Sequence, residues 1–186
     1  MTTATATAER LIVSPDGAEA LTFLETSAET GGARTYVEAV LKPGSGTPLH
    51  THATYSEDFE VLEGTLSVSV DGRELHLGPG DRALVPIGAV HRFRNASEAP
   101  VRFRCALEPA SRGFEEMQQI GAGLAADGRT RGELPKDPRL LGLLLVMSDS
   151  GLTGTLRALE PILRALGDRA RRRGVEDELR ARYVRW

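Results

Sequence analysis

The chain has 186 residues, a formal net charge of −3 and a single cysteine, Cys105. That length suggests one domain with an appendage. The slightly acidic balance gives no global field that would gather nucleic acid. One cysteine excludes an internal disulfide, which fits a reducing, cytoplasmic compartment. The N-terminus, MTTATATAER, has no apolar stretch of the kind a signal peptide carries. The most apolar run, Leu140 to Met147, falls far short of the ~20 residues needed to cross a bilayer.

Residues 1–18 are Thr/Ala-rich and end in the turn signal Ser14-Pro15-Asp16-Gly17, which predicts a flexible leader. From 19 to 108 the pattern is one of short strands punctuated by glycine. Gly31-Gly32, Glu63-Gly64 and Asp71-Gly72 each separate two candidate strands, as hairpin turns do. Leu66, Val68 and Val70 alternate with Ser67 and Ser69, and Val101, Phe103, Cys105 and Leu107 alternate with Arg102, Arg104 and Ala106. A period of two gives each strand one buried and one wet face. Many such strands at even spacing predict a sandwich or barrel, which leaves few exposed edges.

After Pro109 the period changes. Phe114, Met117, Gly121 and Leu124 fall at helical spacing, and Asp127-Gly128 ends the run. The charged, Pro/Gly-bearing stretch 129–138 reads as a linker. Asp137-Pro138 resembles a helix start. Leu152, Leu156, Leu159, Leu163 and Leu166 then form an amphipathic stripe that Pro161 should kink or restart. The division is thus a leader at 1–18, a β-barrel at 19–108 and a helical C-terminal extension at 109–186.

Three of the chain's four histidines lie in two short segments of the β region. The first carries His50-Thr51-His52 and, four residues on, Glu57; the second carries His91. Residues two apart in a strand face the same side, so His50 and His52 should both point inward. Glu57 shares parity with Phe59 and Val61 beyond a corner at 53–56, and His91 shares parity with Phe93 and Asn95. Four ligands could therefore converge from three strands. Three imidazoles and a carboxylate suit one divalent transition metal, Fe, Ni, Cu, Mn or Zn. Four protein ligands leave a position open on an octahedral ion, as catalysis requires.

The two segments read in full Gly44-(5)-His50-Thr51-His52-(4)-Glu57-(6)-Gly64 and Gly80-(5)-Pro86-Ile87-Gly88-(2)-His91-(3)-Asn95. They resemble the paired signature motifs of the cupin superfamily, and the general appearance is that of small quercetin-dioxygenase-like cupins. The resemblance implies an antiparallel jelly-roll barrel, mainly β, with metal ligands His50, His52, Glu57 and His91. It leaves the chemistry open, because one fold hosts many functions. The leading expectation is a mononuclear-metal dioxygenase acting on a small organic molecule, with the substrate's hydroxyl or enolate at the metal and Glu57 as base. The alternatives are an oxygen-independent cyclase, isomerase or lyase, such as a polyketide cyclase, and a non-enzymatic binding or sensing module.

Tyr55, in the corner between His52 and Glu57, is a candidate acid/base, though corner packing explains it better. Tyr36, Phe59, Phe93 and Phe103 are candidate substrate contacts that could as well fill the core. His76, between Leu75 and Leu77, should face outward. Asn95 and Cys105 read as structural. The segment 164–186 holds eight arginines against four acids; a solvated helix face explains this better than a membrane surface. The Leu140–Met147 run should bury against the barrel or a second subunit, so a homodimer is expected, with no nucleic acid and no transmembrane segment.

Overall fold

The computed structural model describes residues 10–132 and 134–186. Ten strands come first: β1 (Leu11–Val13), β2 (Glu19–Glu25), β3 (Thr35–Leu41), β4 (His50–His52), β5 (Ser56–Glu63), β6 (Leu66–Val70), β7 (Arg73–Leu77), β8 (Arg82–Val85), β9 (His91–Arg94) and β10 (Val101–Glu108). Helix α1 (Arg112–Ala126) follows, then β11 (Thr130–Arg131), β12 (Leu134–Pro135), α2 (Pro138–Met147), β13 (Ser150–Leu152), a 3-10 turn (Gly154–Leu159), α3 (Glu160–Arg172) and α4 (Val175–Tyr183). Among the described residues no helix is long and apolar enough to cross a membrane.

The strands form two larger antiparallel sheets, ordered β1-β2-β3-β10-β5-β8 and β13-β4-β9-β6-β7. Most neighbours are distant in sequence, as the crossing connections of a jelly roll require. The period-two pattern sets which side chains enter. Phe59 and Val61 of β5, Val68 of β6 and Val101, Phe103, Cys105 and Leu107 of β10 share one buried core with Phe23, Val37 and Leu41. The alternating Arg102 and Arg104 of β10 stay on the wet face and pair with Glu38 of β3 at 3.2 and 3.0 Å.

Helix α1 is capped by Ser111, whose hydroxyl accepts from the Phe114 amide at 3.1 Å. It is fixed to the sheet by a buried carboxylate. Glu115 accepts from Ser27 N at 2.6 Å, Ser27 Oγ at 2.9 Å and Thr35 Oγ1 at 2.6 Å. A carboxylate buried with that many donors satisfies its desolvation. It also holds the helical extension at one place over the sheet.

Several expectations are revised. Only the first half of the leader lies outside the described residues; Leu11–Val13 is an edge strand in register with Thr22, Leu21 and Ala20 of β2. Gly64 does adopt a positive φ of 80°, but it joins β5 to β6 across the two sheets and makes no hairpin. The linker contains a short ladder, Thr130 opposite Pro135 and Arg131 opposite Leu134. The leucine stripe is not one helix: Leu152 lies in β13, Leu156 and Leu159 lie in the 3-10 turn, and helix α3 starts at Glu160 with Pro161 in its first turn. Proline lacks the amide donor that a continuous helix would need there.

The Leu140–Met147 run buries within the extension itself. Leu140, Leu143, Leu144 and Met147 pack with Ile120 and Leu124 of α1 and Leu179 of α4 into a second core. Helices α2 and α3 cross where Gly142 meets Gly167. A Cβ on Gly142 would stand 1.9 Å from the Leu163 carbonyl oxygen, so only glycine permits this separation. Gly142→Ala is expected to destabilise the fold by about 2 kcal/mol as the helices are forced apart, lowering the melting temperature by several degrees in circular dichroism. An unchanged melting curve would mean that the crossing is freely adjustable.

The basic C-terminal segment is largely occupied with ion pairs. Arg180 meets Glu116 and Glu176, each at 2.7 Å, and Arg182 meets Asp127 at 2.6 Å. Arg171 also pairs with Glu176. Such contacts make a solvated face. His76 is exposed, its Nδ1 3.0 Å from Ser67 Oγ.

Candidate metal centre

His50 of β4 lies opposite His91 of β9 in the smaller sheet. His50 and His52 are two apart, so both side chains enter between the sheets. Glu57 comes from β5 in the other sheet, where its backbone is opposite Val85 and Leu107. The cluster therefore bridges the two layers. His52, Glu57 and His91 are buried and His50 is partly exposed. The four residues each offer a ligand atom, and those atoms lie within 4.8 Å of one another.

The imidazoles are oriented from behind. His50 Nδ1 donates to the Pro48 carbonyl at 2.8 Å and His91 Nδ1 donates to the Ala89 carbonyl at 3.0 Å. Carbonyl oxygens only accept, so each ring carries a proton on Nδ1 and presents Nε2 as the nitrogen a metal would take, as metal-ligating histidines do. His52 Nδ1 lies 3.4 Å from Ser150 Oγ, which is 2.9 Å from Ser148 Oγ, which donates to the Leu144 carbonyl at 2.9 Å. The carbonyl at the end fixes the direction of the whole chain. Ser148 spends its proton on Leu144, Ser150 then donates to Ser148, and His52 donates from Nδ1. All three rings thus turn Nε2 inward, as the nitrogen left for a metal.

What those nitrogens meet decides whether a metal fits. His91 Nε2 and Glu57 Oε2 are 2.9 Å apart, yet both atoms are buried and neither has a hydrogen bond of acceptable geometry. His52 Nε2 is 3.6 Å from Glu57 Oε1. Buried polar atoms are almost always satisfied. Two orphans side by side in a cluster of nitrogen and oxygen donors are the arrangement of groups that share one cation. The residues present fit a divalent transition metal.

The electrostatics agree. Burial pushes the imidazoles of His50 and His52 below the usual histidine range, His52 to about 4, so both are neutral near pH 7. Burial would raise the Glu57 carboxyl, but His91, His52 and His50 outweigh it and hold the group ionised. At His91 burial lowers and the Glu57 carboxylate raises, and the carboxylate wins. The metal-free cluster therefore holds its proton on His91 to higher pH than a free imidazole would, and a metal must displace it. Metal affinity is expected to fall as pH drops through that raised value. Calorimetry in buffers of different ionisation enthalpy should show a proton released per metal bound. Affinity that stays flat between roughly pH 6 and 8, where imidazole titrates, would contradict this.

The other candidates separate clearly. Phe59, Phe93 and Phe103 line a cavity of about 600 Å³ that also reaches His50, His52 and Glu57. Their rings are 5.5 to 5.8 Å apart. Tyr36 does not line the cavity; its ring lies under the Arg34 guanidinium at 4.7 Å. Tyr55 is 1% exposed and stacks on His52 with ring centres 4.3 Å apart. Its hydroxyl donates to the Ser148 carbonyl at 3.2 Å, and burial pushes its pKa well up. Asn95 ties a turn, donating to the Leu41 and Ala99 carbonyls at 3.0 and 2.8 Å. Cys105 is buried and lines the cavity wall.

Sequence reasoning missed Ser148 and Ser150. They belong to β13 and the turn before it, and β13 pairs with β4 so that Ser150 lies opposite His52 and Leu152 opposite His50. Gly151 allows the approach, since a Cβ there would fall 2.4 Å from Thr51 Oγ1. The only sequence signal was the polar triplet Ser148-Asp149-Ser150 after an apolar helix, which says nothing of its partner strand.

Residues 37–107 match the family model described as a cupin domain. Over 97 residues the chain is 27% identical to an uncharacterized protein of Methanocaldococcus jannaschii, a match covering 52% of this chain and 78% of that protein. Over 72 residues it is 38% identical to the polyketide synthase CurC of Streptomyces cyaneus, covering 38% of this chain and 46% of CurC. Over 45 residues it is 42% identical to quercetin 2,3-dioxygenase of Bacillus subtilis, covering 24% of this chain and 13% of that enzyme. The chain thus spans less than half of the length of CurC and a small part of the dioxygenase.

Proposed function

We propose that this chain, which belongs to the cupin superfamily, is a metal-dependent enzyme that dioxygenates a small organic molecule bound through an oxygen donor. The observation that carries this is the position of the donor cluster. His50, His52 and Glu57 of the cluster line a cavity of about 600 Å³ with mainly apolar walls, the size and character of a small-molecule site. A bound metal would supply an electrophilic centre and, if redox-active, a route for electrons to oxygen.

The chain's own residues have separate tasks. His50, His52 and His91 hold the metal, each with its tautomer set from behind. Glu57 completes the set and acts as the base that takes a proton from the substrate at a carboxylate oxygen. Phe59, Phe93 and Phe103 pack against the substrate and exclude water. Tyr55 braces His52; with its hydroxyl committed to a carbonyl and its pKa raised, it transfers no proton. The similarity to the quercetin dioxygenase segment supports the oxygen-dependent reading.

The longer similarity to CurC favours a second reading, in which the metal polarises a carbonyl for cyclisation, isomerisation or elimination without oxygen. The test is turnover of hydroxylated aromatic compounds by metal-reconstituted protein, with and without oxygen. Product formation with matching oxygen uptake, lost under anaerobic conditions, is expected. Undiminished anaerobic turnover would discard the dioxygenase and leave the second reading.

A further inference from the structure

The cavity is not closed by the β-sheets alone. One wall comes from the helical extension, where Leu141, Leu144 and Leu145 of α2 and Leu152 of β13 face the same space as His50 and His52. At its rim stand Val13, Leu49, Leu134 and Leu156, which are 48%, 42%, 61% and 56% exposed. Apolar side chains that line a cavity while remaining half in water are surface waiting to be covered.

Charge narrows what covers them. Among the described residues that line the cavity, Arg92 is the only lysine or arginine, and it is held by Glu74 at 3.0 Å. The acids lining it are Glu57, in the donor cluster, and Glu19. A phosphate or a sugar carrying several charges would lose its hydration along these walls, where the metal and the paired Arg92 are the only cations on offer. A long apolar body would gain at every position along the leucines.

We propose that the site takes an amphiphile, with one oxygen-donor head group at the cluster of His50, His52, Glu57 and His91 and an extended apolar body along the leucine-rich wall and rim of the C-terminal extension. This rests on the metal-dependent function proposed above and specifies its substrate class. It also gives the extension a function: it is the half of the site that selects for an apolar body.

The experiment uses the full-length protein loaded with cobalt(II) and three probes that share a metal-binding head, acetohydroxamate, hexanohydroxamate and decanohydroxamate. Dissociation constants are read from the cobalt absorption spectrum. Affinity is expected to rise by about fourfold per methylene that enters the cavity. Leu156→Ser should shrink the ratio between decanohydroxamate and acetohydroxamate and leave acetohydroxamate itself unchanged. Leu156 is exposed in a 3-10 turn, so the change places no burden on either core. Equal affinity for the three probes, with acetohydroxamate still binding, would overturn the amphiphile while sparing the metal centre. If in that case Leu156→Ser also converts a dimer to a monomer, the rim is a subunit contact instead. Failure of all three probes to perturb the cobalt spectrum would overturn the metal-dependent function along with the amphiphile.

Discussion

Replacing His91 with alanine is expected to weaken binding of a divalent transition metal by roughly 100- to 1000-fold, since four protein donors share a binding free energy of about 10–16 kcal/mol in structural zinc sites. His91 is the most constrained of the four. It is 1% exposed, its Nδ1 is fixed by the Ala89 carbonyl at 3.0 Å, and its Nε2 stands 2.9 Å from Glu57 Oε2. No other described histidine can take its place, because His76 lies exposed on β7. Elemental analysis of purified protein and calorimetric titration with nickel or zinc would measure the loss. The same substitution strands the Glu57 carboxylate in the interior without its nearest partner, so the metal-free variant should also be less stable than metal-free wild type. Glu57→Gln removes that charge and keeps the shape. It should restore stability without restoring metal affinity. Wild-type metal content in both variants would show that the cluster is a buried ion pair and no metal site.

Ser150→Ala is expected to lower metal affinity by about 10- to 100-fold, the usual cost of removing a hydrogen-bond partner behind a ligating histidine. The residue touches no donor atom. It acts through His52, whose Nδ1 proton loses its acceptor 3.4 Å away, so the ring is free to rotate or to shift the proton to Nε2. The pairing of β13 with β4 runs through the backbone and should survive the change, leaving the melting temperature of the metal-free protein where it was. Ser150→Thr keeps the hydroxyl and should recover the affinity, which a merely structural role would not require. Wild-type affinity in Ser150→Ala would show that His52 needs no orientation from the extension.

Much of the centre was legible because it depends on short-range geometry. The spacing of His50 and His52 places both on one face of a strand, and the parity of Glu57 with Phe59 points it into the core. His91 lies opposite His50 across the ladder, but its inward side was already fixed by its parity with Phe93 and Asn95, between which the arginines alternate. What failed to show was anything decided by contacts between distant segments. Gly64 looked like a hairpin residue because a turn signal does not say which sheet the next strand joins. Leu152 looked helical because a leucine stripe is the same whether its first member lies in a helix or on a sheet edge, and only the pairing with His50 settles it. Tyr36 and Phe59 are both aromatic strand residues, yet one lies under an arginine on the wet face and the other lines the cavity.

The sequence by itself determined the strand-rich first part, the identity of the four donors, the helical character of the rest and the family that its motifs resemble. Those properties follow from local periodicity and from the chemistry of individual side chains, which survive in one dimension. Only the tertiary structure decided that the extension returns a strand to the histidine-bearing edge, that Ser148 and Ser150 set the tautomer of His52, and that leucines some ninety residues away line the same space as the donor cluster. Such contacts depend on how two separately packed cores dock. Docking is set by a buried carboxylate on α1 that reaches Ser27 and Thr35 of the sheet region, a feature that carries meaning only once the chain has folded around it.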